Sequence, residues 1–430
     1  MTIPQSAIVR MQRVLVLSTT TGYQLRSFAD SAERLGIGLV LATDRCHHLD
    51  DPWRDGAIAV RFHDEPASVQ AIQAAAQQRP IDGIIAVGDR PTVLAAKAAQ
   101  ALGLPGNPVE GAEASRSKKA MRQAFVSARM HTPWFLDMPG DRDVRAASAA
   151  IPYPCIVKPL GLSGSRGVIR ADTPAQFQDA VVRIRALLSR PDLRAQRTGL
   201  TGQLLIEGYI EGKEYAVEGL LTQGAFRMLA LFDKPDPLEG PYFEETIYVT
   251  PSHAPEHLQQ AIATEVQRAT TALGLVQGPV HAECRVGPAG ITMLEVAARP
   301  IGGLCSKALR FESGSGVVPL EEVLLRHALG EDVSAWVRER LAAGVMMIPV
   351  PRRGIYKGVG GDGSAREVEC VEDVRITAKA DQLLEPLPEG DSYLGFIFAR
   401  GARPVEVVAA LREAHGRLAF EIDPELRVIR

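Results

Sequence analysis

Apolar and polar residues alternate along the start of the chain in the order of a repeated strand–helix unit. An apolar strand is predicted at residues 13–18, a helix at residues 25–35 and a second strand at residues 38–43. A third strand at residues 83–88 lies between two alanine-rich helices, the second of which stops at Gly103. This order predicts a small doubly wound α/β domain at the start of the chain.

The pattern then changes to single helices between pairs of strands. A basic helix is predicted at residues 115–130, with Met121 and Phe125 on its apolar side and a solvated face of lysines and arginines. The capping box Thr173-Pro-Ala-Gln176 opens a further helix. Two strands at residues 204–218 carry acidic residues at their junction.

The last part of the chain also alternates between strands and helices. Residues 190–202 are polar and helix-poor, so we expect them to separate two lobes. An amphipathic helix at residues 320–330 precedes strands and glycine turns at residues 344–363. An apolar strand at residues 390–399 is followed by a closing helix that contains Val405.

Length and composition narrow the class of protein. A chain of 430 residues is long enough for about two to four domains. A formal net charge of −3 and the absence of a basic face argue against nucleic-acid binding. The five cysteines are scattered without metal-type spacing, which favours a reducing compartment. No apolar run suits a signal peptide or a membrane span, so we expect a cytoplasmic protein without a membrane partner.

The strand–helix opening alone does not predict a dinucleotide site. Its first turn holds only Gly22, where the nicotinamide-binding fingerprint needs three spaced glycines. We therefore expect no nicotinamide cofactor.

A lysine and a glycine/serine loop form the first candidate ligand site. Residues 153–159 predict a strand with Lys158 near its end, and residues 160–168 follow as a loop rich in glycine and serine. Such a loop is often an ordinary hairpin connection. Glycines also let backbone N–H groups approach a phosphate, and the nearby lysine strengthens that interpretation.

The acidic junction offers a second candidate. A cluster of acids is expected to be exposed unless it meets ligand hydroxyls and amines. Glu207, Tyr209 and Ile210 combine one carboxylate with a short apolar wall, which suits an adenine ring. Glu214 follows closely and could accept from ribose hydroxyls.

A predicted β-hairpin at residues 281–303 carries the third candidate. Glu283 and Glu295 are isolated acids on two largely apolar strands, so their carboxylates are expected to point into one space. A cation between them would offset the cost of burial, and hard oxygen ligands suit Mg²⁺. The alternative is a pair of salt bridges to Arg285 and Arg299.

These features in this order resemble the ATP-grasp superfamily of carboxylate–amine ligases. The likeness rests on Lys118 before the loop, Lys158, the acidic junction, and Glu283 followed by Glu295-x-x-x-Arg299. It covers nearly the whole chain. The resemblance implies an N-terminal doubly wound α/β domain, an ATP-grasp fold whose two α+β lobes enclose the nucleotide, and a C-terminal α+β module. The corresponding ranges are residues 1–112, 113–200, 201–330 and 331–430.

The resemblance also implies which residues bind ATP and metal. The phosphates are expected on two lysines and the loop, namely Lys118, Lys158, Ser163, Gly164, Ser165, Arg166 and Gly167. Adenine and ribose are expected beside Glu207, Tyr209, Ile210, Leu294 and Glu214. Two Mg²⁺ ions, for which Mn²⁺ could substitute, are expected on Glu283 and Glu295.

Two details resemble the L-amino acid ligase branch, whose members make dipeptides and related amides. Ala297 stands where many relatives carry a metal-binding asparagine, which leaves Glu295 to bridge both ions. Phe243-Glu-Glu-Thr246 also matches a segment of that branch.

The implied reaction joins a carboxylate to an amine through an acyl phosphate and releases ADP and phosphate. Lys158 and Arg299 are the expected catalytic residues, with Arg299 suited to hold a carboxylate and the later oxyanion. The expected substrate residues are Glu245, Tyr248, Arg299, Gly302 and Gly303. A carboxylase of the biotin or purine type and a non-catalytic nucleotide-binding protein are the alternatives. Small carboxylates and amines, amino acids among them, are the expected partners, and a homodimer is compatible with the resemblance.

Overall fold

The computed structural model describes most of the chain. The described residues are 10–19, 24–44, 56–139, 142–195, 202–314 and 316–425. Gly22 and residues 196–201 of the expected separator between lobes therefore lie outside the described residues.

The N-terminal domain is built on a four-stranded parallel sheet. Its elements are β1 (Arg13–Ser18), α1 (Leu25–Leu35), β2 (Gly38–Thr43), β3 (Ile58–Ala59), α2 (Glu65–Gln78), β4 (Gly83–Val87) and α3 (Thr92–Leu102). The strand order is β3-β2-β1-β4. Residues 14–17 of the central strand β1 are fully buried, as expected for a parallel strand covered on both faces. The predicted doubly wound α/β domain is confirmed.

The single basic helix predicted at residues 115–130 is wrong, because the chain forms two helices there. They are α4 (Val109–Arg116) and α5 (Lys118–Ser127). Ser117 between them is extended, and its hydroxyl accepts a hydrogen bond from the Ala120 N–H at 3.2 Å. A serine that caps a new helix favours a break at this position. Arg122 is also buried within α5 rather than part of a solvated face.

The small lobe holds a four-stranded antiparallel sheet of order β5-β8-β6-β7. Its elements are β5 (Phe135–Met138), α6 (Val144–Ser148), β6 (Cys155–Pro159), β7 (Ile169–Ala171), α7 (Pro174–Leu188), α8 (Pro191–Arg194) and β8 (Leu204–Gly208). Thr173 caps α7 as expected from the capping box. Part of the segment expected to be helix-poor forms α8, which Pro191 opens. The glycine/serine loop is the connection between β6 and β7.

The large lobe is built on antiparallel strands. Its elements are β9 (Lys213–Thr222), β10 (Ala225–Asp233), β11 (Ile247–Thr250), α9 (Glu256–Leu273), β12 (Gly278–Gly287) and β13 (Gly290–Ala297). Strand β12 returns to pair with β9. Strands β12 and β13 form the predicted hairpin.

The remaining elements complete the large lobe and form the C-terminal module. They are β14 (Arg310–Ser313), β15 (Gly316–Pro319), α10 (Leu320–Ala328), β16 (Val337–Arg338), β17 (Ala342–Ile348), β18 (Gly354–Gly360), α11 (Asp362–Arg366), β19 (Val371–Ile376), β20 (Leu383–Leu384), β21 (Gly395–Gly401), α12 (Pro404–Gly416) and β22 (Ala419–Asp423). The predicted strand at residues 390–399 begins later, at Gly395.

One eight-stranded sheet joins the large lobe to the C-terminal module. Its order is β13-β12-β9-β10-β11-β17-β21-β19. The strands before and after the expected boundary at residue 330 therefore belong to the same sheet. The core is shared as well, since Phe28 of the N-terminal domain belongs to the same buried cluster as Phe232 and Phe396. No helix in the described ranges combines the length and apolar character needed to cross a membrane.

Gly212, at the junction of β8 and β9, lies tightly against strand β12. Its φ is +122°, and a Cβ there would lie 2.3 Å from the carbonyl oxygen of Val286. Gly224 also has a positive φ, +84°, but its added Cβ would meet no atom within 4 Å. We expect Gly224→Ala to cost about 1–2 kcal/mol of stability from backbone strain. Gly212→Ala should cost about 1–3 kcal/mol more because of the clash.

Thermal melting of the two variants beside the wild-type protein checks this prediction. Equal melting midpoints for the two variants would contradict it.

Candidate active site

One cavity lies where the small lobe, the large sheet and the C-terminal module meet. It gathers nearly all of the residues that the sequence singles out, namely Lys118, Lys158, Ser163, Gly164, Ser165, Glu207, Tyr209, Ile210, Glu214, Glu245, Tyr248, Glu283, Leu294, Glu295, Arg299, Gly302 and Gly303. Arg166 and Gly167 are not among the lining residues.

A buried ion-pair network connects β6, β8 and α5 at one end of the cavity. Lys158 at the end of β6 pairs with Glu207 of β8. Arg122 of α5 also donates to the Glu207 carboxylate, at 2.8 and 3.3 Å, and to the Met293 carbonyl at 3.1 Å. The network therefore fixes Lys158 and occupies both oxygens of Glu207.

Burial and pairing shift the pKa values of this network in opposite directions. Burial lowers the pKa of Lys158 to about 8, although the Glu207 carboxylate favours its charged form. Burial alone would raise the pKa of Glu207, yet Arg122 and Lys158 bring it down to about 2. Glu207 is thus a carboxylate at neutral pH, and Lys158 is a cation that loses its proton under mildly alkaline conditions.

The hairpin of β12 and β13 places its two acids side by side. Glu283 and Glu295 are directly paired in the antiparallel register, and the register shifts immediately after Glu283. Both residues line the cavity. The structure brings these two acids together as the sequence predicts.

Lys234, just after β10, lies at the centre of three acids. Its ammonium group donates to Glu214 at 2.7 Å, Glu245 at 2.6 Å and Glu283 at 2.9 Å. The Tyr248 hydroxyl also donates to Glu283, at 3.1 Å. Burial would lower the pKa of Lys234, but the three carboxylates hold it well above its usual range. Lys234 is therefore a permanent cation that offsets the charge of this acid cluster.

The donor set fits a hard divalent cation. Glu283 and Glu295 are paired across the hairpin. Glu214, Glu245 and Glu283 also bring carboxylate oxygens within 4.8 Å of one another, but Lys234 donates to all three of these acids. Carboxylate oxygens are the protein ligands that Mg²⁺ prefers. Among the described residues, the ion pairs and hydrogen bonds of Glu283 fall on Oε1. Its Oε2 takes part in none of these contacts.

His281 stands beside Glu283 and is held by a second buried acid. Its Nδ1 lies 2.6 Å from Glu218 Oε1, and its Nε2 lies 3.6 Å from Glu283 Oε1. Burial would lower the pKa of His281, whereas its hydrogen bonds to Glu218 and Glu283 raise the value to about 9. His281 is thus a second cation beside the hairpin acids at neutral pH.

Arg299 pairs with an acid of the N-terminal domain. Its Nε and Nη2 donate to the two carboxylate oxygens of Asp89 at 2.8 and 3.3 Å. Burial would raise the pKa of Asp89, yet Arg299 holds it below its usual value. The alternative of a salt bridge from Arg299 to a hairpin acid is therefore wrong, because Asp89 reaches the guanidinium from the end of β4.

Arg285, the other arginine proposed to pair with the hairpin acids, instead binds Glu214. Its Nε donates to Glu214 at 2.9 Å, and its Nη1 donates to the Ile210 carbonyl at 2.7 Å. Glu214 thereby has one oxygen on Arg285 and the other on Lys234. A ribose hydroxyl at this position would share the carboxylate with two cations. The guanidinium of Arg285 also lies 5.2 Å from the ring centre of Tyr209.

Comparison with known proteins gives three matches along the chain. Residues 151–308 match an ATP-grasp domain, and residues 29–106 match an ATP-grasp N-terminal domain. Residues 346–423 match L-amino acid ligase C-terminal domain 2. The chain belongs to the ATP-grasp superfamily. Membership implies the use of ATP and Mg²⁺, which the lysines and acids of the cavity fit.

Two ligases have similar sequences, and in each case the alignment covers only part of the relative's length. Alanine–anticapsin ligase of Bacillus subtilis (strain 168) is 27% identical over 276 residues, covering 60% of this chain and 58% of that protein. Carnosine synthase 1 of Gallus gallus is 28% identical over 231 residues, covering 52% of this chain and 24% of that protein. The match thus spans less than two thirds of the length of these curated relatives.

Solved structures extend the likeness to the whole chain. The L-amino acid ligase from Bacillus licheniformis superposes with a TM-score of 0.79 at 27% identity, covering 96% of this chain and 99% of that one. Phosphoribosylglycinamide synthetase from Anaerococcus prevotii superposes with a TM-score of 0.66 at 16% identity, covering 96% and 100% of the two chains. The second match shows that the ATP-grasp fold is shared.

Several residues of this ATP-grasp site do not stand out in the sequence. Lys234 directly follows β10. Its position at the end of a strand is the same sequence feature that singled out Lys158. Asp89 follows β4, and the carboxyl ends of strands in an open parallel sheet are where ligand sites form. Arg122 has no such signal, because helical charges are usually solvated. Tyr393 of the C-terminal module also lines the cavity.

The pKa of Lys158 gives this ATP-grasp site a testable pH dependence. Lys158 is a cation below its pKa of about 8 and is neutral above it. The resemblance implies that Lys158 binds the ATP phosphates, and on that prediction their attraction to Lys158 is lost as the pH rises. Above about pH 8, we expect the dissociation constant of ATP to increase, approaching about tenfold per pH unit.

Isothermal titration across this pH range measures the effect. Lys158→Met should bind ATP more weakly near neutral pH and should lack the added pH dependence. A wild-type dissociation constant that is the same on both sides of the pKa would contradict the prediction.

Proposed function

We propose that the protein is an ATP-dependent carboxylate–amine ligase that forms an amide or peptide bond through an acyl phosphate. One observation carries the proposal: a single cavity holds Lys118, Lys158, the hairpin acids Glu283 and Glu295, and Arg299. Phosphoryl transfer depends mainly on positioning and charge neutralisation, and these residues supply both. ADP and phosphate are the other products.

The nucleotide is proposed to bind between the two lobes. Lys118 and Lys158 meet the phosphates, together with the backbone of Ser163–Ser165, where φ is positive at Gly164 and Ser165. Because Arg122 and Lys158 occupy the Glu207 carboxylate, Tyr209, Ile210 and Leu294 provide the walls for adenine.

The hairpin is proposed to hold the metal that accompanies ATP. Glu283 and Glu295 would bind Mg²⁺, which neutralises charge on the transferred phosphoryl group when bound. Lys234 and His281 contact Glu283 from the side and hold its carboxylate in one orientation. Ala297 contributes no ligand, so Glu295 is the bridging acid if two ions bind.

Arg299 is proposed to orient the acceptor carboxylate and to stabilise the tetrahedral oxyanion. Asp89 holds the guanidinium through two hydrogen bonds, so the side chain is already ordered. Burial lowers the pKa of Arg299, but Asp89 and the nearby acids raise it above its usual value. The group therefore stays charged throughout the reaction.

Amino acids are the proposed substrates. Glu245 and Tyr248 would bind an α-ammonium group, and Gly302 and Gly303 leave space beside Arg299. Burial raises the pKa of Glu245 to about 7, although Lys234 favours its ionised form. The amino-acid class is supported by the similarity to an L-amino acid ligase, an alanine–anticapsin ligase and carnosine synthase.

Removal of a metal-binding carboxylate tests the mechanism. Glu283→Gln or Glu295→Gln should lower the rate of ADP formation by about a hundredfold or more, since an amide oxygen binds Mg²⁺ poorly. Glu312 is an exposed acid of β14, remote from the cavity lining, and Glu312→Gln serves as the matched control.

Circular dichroism confirms that each variant is folded before the ADP assay. Wild-type turnover in either hairpin variant would contradict the metal assignment.

A substrate screen tests the reaction class. The wild-type protein is incubated with ATP, Mg²⁺ and pooled amino acids, and phosphate release is followed before the pools are split into pairs. We expect release to require amino acids and a dipeptide or related amide to appear by mass spectrometry. Release with bicarbonate alone would instead indicate a carboxylase, and ATP binding without turnover would indicate a non-catalytic protein.

A further inference from the structure

The glycine/serine loop contacts the C-terminal module on the side away from the cavity. Residues 385–391, here termed the acidic turn, contain Glu385, Glu389 and Asp391. Gly390 lets this segment fold tightly, since its N–H donates to the Pro386 carbonyl at 2.9 Å. A Cβ on Gly390 would lie 1.9 Å from the Glu385 carbonyl oxygen. The acidic turn is therefore a compact structure specified by its own backbone.

The Arg166 side chain and the backbone of the next residue, Gly167, both bind the acidic turn. The Arg166 Nε donates to the Glu389 carbonyl at 2.8 Å, and its Nη1 donates to Asp391 at 2.9 Å. The next residue, Gly167, donates its N–H to the Pro388 carbonyl at 2.9 Å. The Arg166 side chain is only 7% exposed. The structure thus gives Arg166 and Gly167 partners other than the phosphate that the sequence predicts.

Two further arginines of the small lobe strengthen the same contact. Arg183 of α7 makes a two-point ion pair with Glu389, one arm of which measures 2.8 Å. Arg190, which precedes α8, donates to Glu385 at 2.6 Å. Three arginines of one lobe therefore face three acids of one turn. Charge-assisted hydrogen bonds of this type are stronger than neutral ones.

The contact separates the two faces of the loop. Ser163, Gly164, Ser165 and Val168 line the cavity, whereas Arg166 is directed to the acidic turn. The backbone turns through positive φ values at Gly164, Ser165 and Gly167, of 63°, 56° and 73°. Anchoring of Arg166 therefore restrains the same backbone that faces the bound phosphates.

We propose that Arg166 is a positioning residue. By binding the acidic turn of the C-terminal module, it holds the glycine/serine loop in its ATP-binding conformation. The proposal rests on the proposed function only in naming ATP as the ligand of the loop. The acidic turn then acts on nucleotide binding without lining the cavity.

The first test measures the loop itself. In the full chain without nucleotide, hydrogen exchange of the amides at residues 163–168 should be at least about tenfold faster in Arg166→Ala than in the wild type. The dissociation constant for ATP should rise about tenfold, as expected when a charged hydrogen bond that orders the loop is lost. Arg194→Ala removes an exposed arginine of the same lobe and should change neither value.

The second test separates positioning from general destabilisation. Arg183→Glu and Glu389→Arg should each speed exchange of the loop, and the double variant should restore the wild-type rate because the ion pair is re-formed with its charges exchanged. Arg166→Lys keeps the charge but lacks the two-point geometry, so an intermediate exchange rate is expected. In turnover assays, Arg166→Ala should raise KM for ATP more than it lowers kcat.

The outcomes for this proposal and for the ligase are distinguishable. Unchanged loop exchange in Arg166→Ala, or no rescue in the charge-exchanged double variant, would overturn the positioning role even if the protein forms amides. Faster loop exchange and weaker ATP binding in Arg166→Ala would support it even if the protein joins no amino acids.

Discussion

Acids buried in one cavity must be matched by cations, and this electrostatic constraint shapes the site. Glu214, Glu245 and Glu283 lie close enough to repel one another strongly, and Lys234 bonds to all three. A buried charge without a partner would cost several kcal/mol of free energy or shift its pKa. The single ammonium group of Lys234 offsets this cost. Arg285 completes the balance on Glu214. Lys234 thereby favours the ionised forms of Glu283 and Glu245, although burial raises the pKa of Glu245 to about 7.

The cations and acids come from separate parts of the chain, so the site also joins the domains. Arg122 links α5 to both Glu207 and the hairpin strand β13. Asp89 brings the N-terminal domain to Arg299, and the acidic turn brings the C-terminal module to the glycine/serine loop. Residues in and around the cavity are consequently held by ion pairs between domains. Such pairs can fix geometry precisely where loops alone would leave the side chains mobile.

Local sequence signals predicted much of the fold. The apolar strands of the N-terminal domain, the capping box at Thr173 and the hairpin turn each depend on residues close together in the chain. The helix predicted at residues 115–130 was wrong because periodicity continued across Ser117, whose capping hydroxyl starts a new helix. The candidate site was predicted from spacing and resemblance, and all but Arg166 and Gly167 of its named residues line the cavity.

The sequence alone determined which chemical groups are present and which short segments carry them, since strand period, turn glycines and capping residues act over a few positions. Tertiary structure decided which charges meet. The alternative to a metal site paired Glu283 and Glu295 with Arg285 and Arg299, yet Lys234 contacts Glu283 and Asp89 contacts Arg299. Ion pairs form between residues far apart in the chain, and the fold as a whole sets their distances and burial. The pairing of each acid with its cation is therefore determined by how the domains pack together.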